Sequence, residues 1–292
     1  MNTVSPKGPG EPLSPQEEAR ARAALKKTSG HSSFYDTVRT IVLAVLLALL
    51  IRTFAYEPFS IPSGSMFPTL LTGDYLFVSK FSYGYSRYSL PAGIPLIENR
   101  IMASSPKRGD VAVFKLPSDG RTDYIKRVIG LPGDRIQVVD GVLHINFTPV
   151  TRQKEATRTI PGATGTMEVT EYTETLPGGV SHRIWERSDN APLDNTPVYT
   201  VPPGHYFMMG DNRDNSTDSR VLVPYQVQND ETWNSPSRQG FVSDRGVGFV
   251  PSVNLVGRAD LIFFSLGDGT HFWELWKWPW SLRFSRLFRP VG

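Results

Sequence analysis

Hydrophobic and polar residues follow two different rhythms along this 292-residue chain, and the rhythm changes near Tyr56. Upstream, the stretch FYDTVRTIVLAVLLALLIRTFAY (34–56) has an unbroken apolar core from Ile41 to Ile51. That core is too short to cross a bilayer alone, but the whole stretch is about 34 Å long as a helix, which suffices. Arg39 and Arg52 sit roughly 20 Å apart on such a helix, so each can carry its charged head to a different interface while its stem stays in lipid. Downstream, the apolar runs shorten and alternate with period two, broken by Gly, Pro, Asp and Asn. They predict strands over 75–79 (YLFVS), 111–114 (VAVF), 124–129 (YIKRVI), 206–209 and 258–265, and a hairpin over 135–146 turning at Asp140-Gly141. The chain lacks the recurrent 10- to 15-residue amphipathic helices a parallel α/β sheet needs, so the part after the apolar stretch is expected to be mainly β.

The expected organisation is a mobile tail over 1–33 with one short helix in EEARARAALKK, a transmembrane helix over 34–56, and a β-rich domain over 57–265. A polar, Thr- and Glu-rich insertion covers about 147–200, and a Trp- and Arg-rich segment ends the chain at 266–292. In that last segment four tryptophans fall within 273–280, with Arg283, Arg286 and Arg289 among Phe and Leu, a mixture suited to a headgroup interface or to an aromatic cluster closing the domain. For the apolar stretch, a cleaved export signal and a buried core helix compete with a permanent anchor. The long charged lead-in, the lack of a clean A-x-A site and the all-round apolar surface favour the anchor. Arg20, Arg22, Lys26, Lys27 and Arg39 precede its core, whereas no Lys or Arg follows Arg52 until Lys80. That bias places the N-terminus in the cytoplasm and the β domain across the membrane.

Composition narrows the chemistry. The chain has no cysteine, which removes thiol catalysis, disulfides and cysteine-ligated zinc together. Its net charge of +3 gives no case for nucleic acid. The five histidines, at 31, 144, 182, 205 and 271, form no HExxH, and no metal or cofactor is expected.

Ser65 lies in EPFSIPSGSMFPTLLTGD, where Pro58, Pro62 and Pro68 stiffen the backbone and Gly64 gives it freedom. Alone, this is as well read as a turn hydroxyl. Lys126 supplies a possible base: on a strand its face is shared with Tyr124 and Val128, so its charge is partly desolvated. Desolvation lowers a lysine pKa from about 10.4, and a base near pH 8 needs a shift worth roughly 3 kcal/mol. A lysine snorkelling from a strand edge is the plainer alternative. The stretch MMGDNRDNSTDSR (208–220) reads as a loop held by its own short polar side chains. Asp214, Ser216 and Asp218 suggest calcium, but an EF-hand needs Gly and Glu where this chain has Ser219 and Tyr225.

Four short stretches in order, PSGSMFPTL (62–70), RGDVAVF (108–114), YIKRVIGLPGD (124–134) and GDNRDNSTDSR (210–220), behind an N-terminal apolar segment, resemble bacterial type I signal peptidase, a Ser-Lys serine protease. The resemblance covers roughly residues 34–265. It implies a signal-peptidase-like antiparallel β fold of coiled sheets or partial barrels behind a transmembrane helix. It implies Ser65 as nucleophile and Lys126 as general base, with Ser63 and the Ser65 N–H as oxyanion donors. Ser216 would orient the amine, Asp218 would support the loop through Arg220, and Asp211, Arg213 and Arg127 would stabilise the site from outside. Phe59, Ile61, Met66, Leu70, Tyr124 and Ile125 would wall a slot admitting only small side chains, the A-x-A rule. Many Gram-negative members carry two N-terminal spans where this sequence shows one, and some have a disulfide this chain cannot form.

The partners so implied are signal-peptide-bearing preproteins, the lipid bilayer and the neighbourhood of the secretion machinery, with the protein in the bacterial inner membrane and its catalytic domain in the periplasm. Two other classes compete. A self-cleaving repressor protease shares the Ser-Lys pair but needs a soluble DNA-binding domain where this chain has its apolar segment. A membrane-tethered β-rich binding or assembly protein explains the anchor and leaves Ser65 and Lys126 unconnected.

Overall fold

The computed structural model describes residues 14–90, 97, 99–162, 165–227, 236–267, 269–270 and 273–291. One helix, α1 (Pro15–Phe54), precedes everything else. Its start is set by a capping box: the Ser14 N–H donates to Glu17 Oε2 at 2.9 Å and the Glu17 N–H donates to Ser14 Oγ at 3.4 Å, with Pro15 in the first turn. Within α1, Phe34–Phe54 has a mean hydropathy of 2.0 and is long and apolar enough to cross a membrane. All its residues from Val42 to Leu50 are exposed, so protein packing does not account for their apolarity.

The strands follow in chain order. They are β1 (Tyr56–Ser60), β2 (Asp74–Ser79), β3 (Val111–Lys115), β4 (Asp123–Gly130), β5 (Arg135–Val139), β6 (Val142–Ile145), β7 (Thr148–Pro149) and β8 (Thr151–Gly162). Then come β9 (Gly165–Thr175), β10 (Ser181–Glu186), β11 (Tyr199–Thr200), β12 (His205–Met209), β13 (Val250–Pro251), β14 (Leu255–Ser265) and β15 (Arg289–Pro290). Among the described residues the main sheet runs β1-β2-β14-β3-β4-β12-β13, with β15 on β14, and all these pairs are antiparallel. Register breaks along β14 and in β12 add local twist, which curls such a sheet. Two smaller antiparallel sheets flank it, β11-β5-β6-β7 and β10-β9-β8. Apolar residues of β2, β3 and β14 such as Leu76, Val113 and Ile262 form one buried cluster, and Phe114, Val128 and Met208 belong to another.

Each strand expected from period-two patterning is present. The hairpin at 135–146 turns on Asp140 and Gly141, both with positive φ (47° and 72°), the conformation that suits the twist of the strands it joins. Four details differ from the sequence reading. The helix does not stop at a tail boundary but runs unbroken from Pro15, because the capping box starts it there; residues 1–13 lie outside the described residues. It ends at Phe54, and Tyr56 opens β1 opposite Ser79. The polar insertion is chiefly the sheet β8-β9-β10, whose Thr-rich faces hide the apolar period. The final segment folds back onto the β domain: Arg289 and Pro290 pair with β14, and Trp278 packs on Phe264 at 4.7 Å between ring centroids. Trp273, Trp276 and Trp280 nevertheless stay exposed.

Candidate active site

The segment between β1 and β2 carries Ser65 over the end of β4. Ile61 accepts the Gly73 N–H at 3.0 Å and donates to Asp74 O at 2.8 Å, closing residues 61–74 into a compact loop. Gly64 does not take a positive φ, so conformational freedom is not its purpose; space is. A Cβ there would stand 2.9 Å from the Phe67 ring.

Opposite the loop, β12 pairs with β4 only as far as Met209 and Arg127, then turns away into residues 210–216. This leaves Lys126 beside β3 alone, where it pairs with Ala112. The departing loop wraps back on Ser65: the Asn212 N–H donates to Ser65 O at 3.0 Å and Asn212 Nδ2 donates to Gly64 O at 2.9 Å. Gly210 permits this approach, since a Cβ there would lie 2.6 Å from Ser65 O. Asn212 was not singled out from sequence; as one Asn in a loop full of Asn and Asp, it carried no distinguishing signal.

Lys126 Nζ lies 2.7 Å from Ser65 Oγ, 61 residues away in sequence, and 3.1 Å from Ile125 O. Lys126 is 3% exposed. Burial depresses its amine to about 8; Asp218 and Asp211 pull it back towards the charged form, and Arg220 pushes the other way. Tyr124 shares its face of the strand, with the amine 5.5 Å from the ring centroid. Ser63 Oγ is 3.5 Å from Ser65 Oγ and exposed. The Ser65 N–H donates to nothing among the described residues.

Around this pair the structure builds three buried ion pairs. Arg127 holds Asp211 through two hydrogen bonds and donates a third to Gly109 O at 2.7 Å. Burial pushes the Asp211 carboxyl up, but Arg127 and the Thr69 hydroxyl at 2.5 Å outweigh it and the net shift is downward. Asp218 accepts from Arg220 Nε and Nη2, both at 2.9 Å, and from the Gly210 N–H at 3.1 Å. Arg213 turns away from its own loop to make a forked pair with Glu174 of β9. His182 of β10 sits beside that pair, 3.4 Å from Glu174, and burial holds it neutral with a pKa of about 4. Glu174 and His182 come from the insertion and were missed, because nothing in the sequence ties β9 and β10 to the loop.

Ser216 lies against Gly210, and the Lys126 amine makes its hydrogen bonds to Ser65 Oγ and Ile125 O, so the expected contact of Ser216 with the amine is not made. Of the six apolar wall residues, Phe59, Ile61, Met66, Leu70 and Ile125 join one cluster while Tyr124 packs against another. Met66 and Leu70 are at 0% exposure and face the core; only Phe59, Tyr124 and Ile125 keep a half-buried surface. Among the described residues, no cluster of three or more His, Cys, Asp or Glu could hold a metal ion.

A buried amine 2.7 Å from a hydroxyl is an arrangement that a serine peptidase can use. Residues 34–264 match the family described as "Signal peptidase, peptidase S26". A signal peptidase I from Rickettsia typhi (strain ATCC VR-144 / Wilmington) is 38% identical over 269 residues, covering 86% of this chain and 92% of that one. Another from Rickettsia canadensis (strain McKiel) is 37% identical over 283 residues, covering 91% and 96%. A crystal structure of a signal peptidase I from Enterococcus faecalis V583 aligns over 53% of this chain and 97% of that one, at 21% identity and a TM-score of 0.27. The chain belongs to the signal peptidase family, peptidase S26.

Proposed function

We propose that this enzyme removes signal peptides from exported preproteins with Ser65 as nucleophile and neutral Lys126 as general base. The observation that carries the reading is the 2.7 Å approach of a desolvated amine to a hydroxyl held in a rigid turn. The Ser65 hydroxyl attacks the scissile carbonyl and its proton passes to Nζ, which then delivers it to the departing amine. Lys126 Nζ, neutral again, takes a proton from water, which attacks the resulting ester, and returns that proton to Ser65 Oγ as the acid product leaves. The Ser65 N–H and the Ser63 hydroxyl would stabilise the oxyanion, each worth about 3 kcal/mol.

Two open strand edges flank Ser65: β1, which pairs only with β2, and residues 123–126 of β4, which pair only with β3 among the described residues. An extended signal peptide adds to such an edge through its backbone. Phe59, Tyr124 and Ile125 keep half-buried apolar surface, with buried Ile61, Met66 and Leu70 nearby; walls of this kind would exclude large side chains by overlap, which would produce the A-x-A rule. Asp211, Arg213, Asp218, Arg220 and Arg127 hold the loop, and Ser216 would orient the amine. The helix over Phe34–Phe54 tethers the enzyme in the inner membrane with its N-terminus in the cytoplasm and the β domain in the periplasm. Tethering raises the effective concentration of a substrate that is itself held in the bilayer.

The test is cleavage of a preprotein in detergent micelles, with sequencing of the new N-terminus. S65A and K126A are each expected to abolish cleavage while keeping the β-rich circular dichroism spectrum, and the wild-type enzyme is expected to cut after small residues at the first and third positions. Retained cleavage by either purified variant ends the dyad assignment.

A further inference from the structure

We propose that Trp185 is a positioning residue for the nucleophile, through which the β8-β9-β10 sheet sets the Ser65 turn; the inference rests on the reading of Ser65 given above. Three contacts converge on this residue. Its backbone N–H donates to Asp211 O at 2.9 Å and it bridges Asn212 in parallel register, so β10 lies along the loop that clamps Ser65. Its ring meets Phe67 nearly edge to face, with centroids 5.5 Å apart and planes at 72°. Its indole N–H donates to Glu171 Oε2 at 3.2 Å.

Glu171 is itself fixed, buried and held by Arg158 Nε at 2.7 Å and Arg183 Nη1 at 3.1 Å. Trp185, Glu171, Arg158 and Arg183 all belong to the insertion, so the insertion fixes the polar edge of the indole. From Phe67 the contact passes directly to the nucleophile's neighbour, because the Phe67 ring occupies the space a side chain at Gly64 would need. Gly64 is tied from its other side by Asn212 Nδ2. The backbone entering Ser65 is therefore held between an aromatic stack rooted in the insertion and an amide from the catalytic loop. A nucleophile displaced by about 1 Å can lose on the order of a hundredfold in rate, so this stack bears on turnover more than on binding. It also gives the polar insertion a purpose that its composition does not suggest.

The test is a double-mutant cycle on the full chain in micelles, reading kcat, KM and melting temperature for one preprotein. W185A and F67L are each expected to lower kcat about tenfold or more, with KM within about twofold, and the double variant is expected to be no slower than the slower single one. W185F, which keeps a ring against Phe67, is expected to recover most of the loss. If W185A fails to fold, W185L takes its place in the cycle. Additive losses, an unchanged kcat in W185A, an effect confined to KM or melting temperature, or no recovery in W185F overturns the proposal. S65A is assayed alongside. An active S65A defeats the reading of the nucleophile whatever Trp185 does, whereas an inactive S65A with W185A at wild-type kcat defeats only the role of Trp185.

Discussion

Arg127 and Asp211 face each other through two parallel hydrogen bonds, Nε to Oδ1 at 2.9 Å and Nη2 to Oδ2 at 2.7 Å, one residue along the strand from Lys126. Two adjacent basic residues are thus both buried, and their partners decide what burial does to them. Arg127 meets a carboxylate and keeps a compensated charge, whereas Lys126 meets a hydroxyl and sheds its proton easily. Asp211→Ala leaves the Arg127 charge buried without its partner, and breaking such a pair costs about 3–5 kcal/mol. It also removes a carboxylate that raises the Lys126 pKa. Urea denaturation is expected to show that loss, and the acid limb of the pH–rate profile is expected to move to lower pH in whatever fraction stays folded.

Lys126 itself couples activity and stability to pH. Its folded pKa of about 8 lies below its ordinary value of 10.5, so between those values the unfolded chain binds more protons than the folded one. Stability from this group therefore rises with pH through that window and is lost as pH falls through about 8, by about 3 kcal/mol in all. Cleavage is expected to rise through the same pH as the amine becomes neutral. Lys126→Met is expected to be inactive yet more stable than wild type at pH 7, with the two unfolding curves converging as pH approaches 10. An inactive variant that gains no stability at pH 7 contradicts a charged amine being held there against burial.

What the sequence made legible follows from how local each signal is. The strands announce themselves because side chains alternate within a few residues, and the turn at Asp140-Gly141 because only certain residues take positive φ. The apolar run of the anchor is equally local. Ser65 and Lys126 stood out through their surroundings, and the resemblance implied the pairing of Asp218 with Arg220, but it named Asp211, Arg213 and Arg127 without saying which pairs with which. Glu174, His182 and Trp185 reach the site only because the insertion folds back over it, and no local pattern encodes that contact. Met66 and Leu70 were expected in a slot and lie in the core, since an apolar residue beside a nucleophile reads the same for either place.

The closing segment makes its own contribution through Arg286 and Asp74. Arg286 Nε donates to Asp74 Oδ1 at 2.9 Å and Nη2 to Oδ2 at 2.5 Å, while Nη2 also reaches Thr69 O at 2.9 Å. Asp74, at 0% exposure, additionally accepts from Ser265 Oγ at 2.6 Å and from the Leu71 N–H at 2.7 Å. The pair therefore ties the end of the Ser65 loop to the segment after β14. Arg286→Ala strands a buried carboxylate and is expected to lower stability by about 3 kcal/mol, or roughly 10 °C in melting temperature for a domain of this size. Because Ser65 is held separately by Asn212, kcat well below the new melting temperature is expected to stay within about threefold of wild type. A large fall in kcat without a fall in melting temperature contradicts this division of labour.

The span over Phe34–Phe54 gives the last expectation. Its apolar side chains are exposed along the whole segment, and burying them in lipid is what makes such a helix favourable. Leu47 lies near the middle, where an arginine costs about 3 kcal/mol on insertion scales and cannot reach either interface as readily as Arg39 or Arg52. Leu47→Arg is expected to shift the protein from the carbonate-resistant membrane fraction towards the extractable one while leaving Ser65 and Lys126 intact. Cleavage of a soluble peptide should then persist in the extracted protein, but processing of a preprotein embedded in vesicles should fall by more than tenfold, since tethering supplies gains of at least that size. Equal processing of the embedded preprotein by both forms contradicts a role for the anchor in bringing enzyme and substrate together.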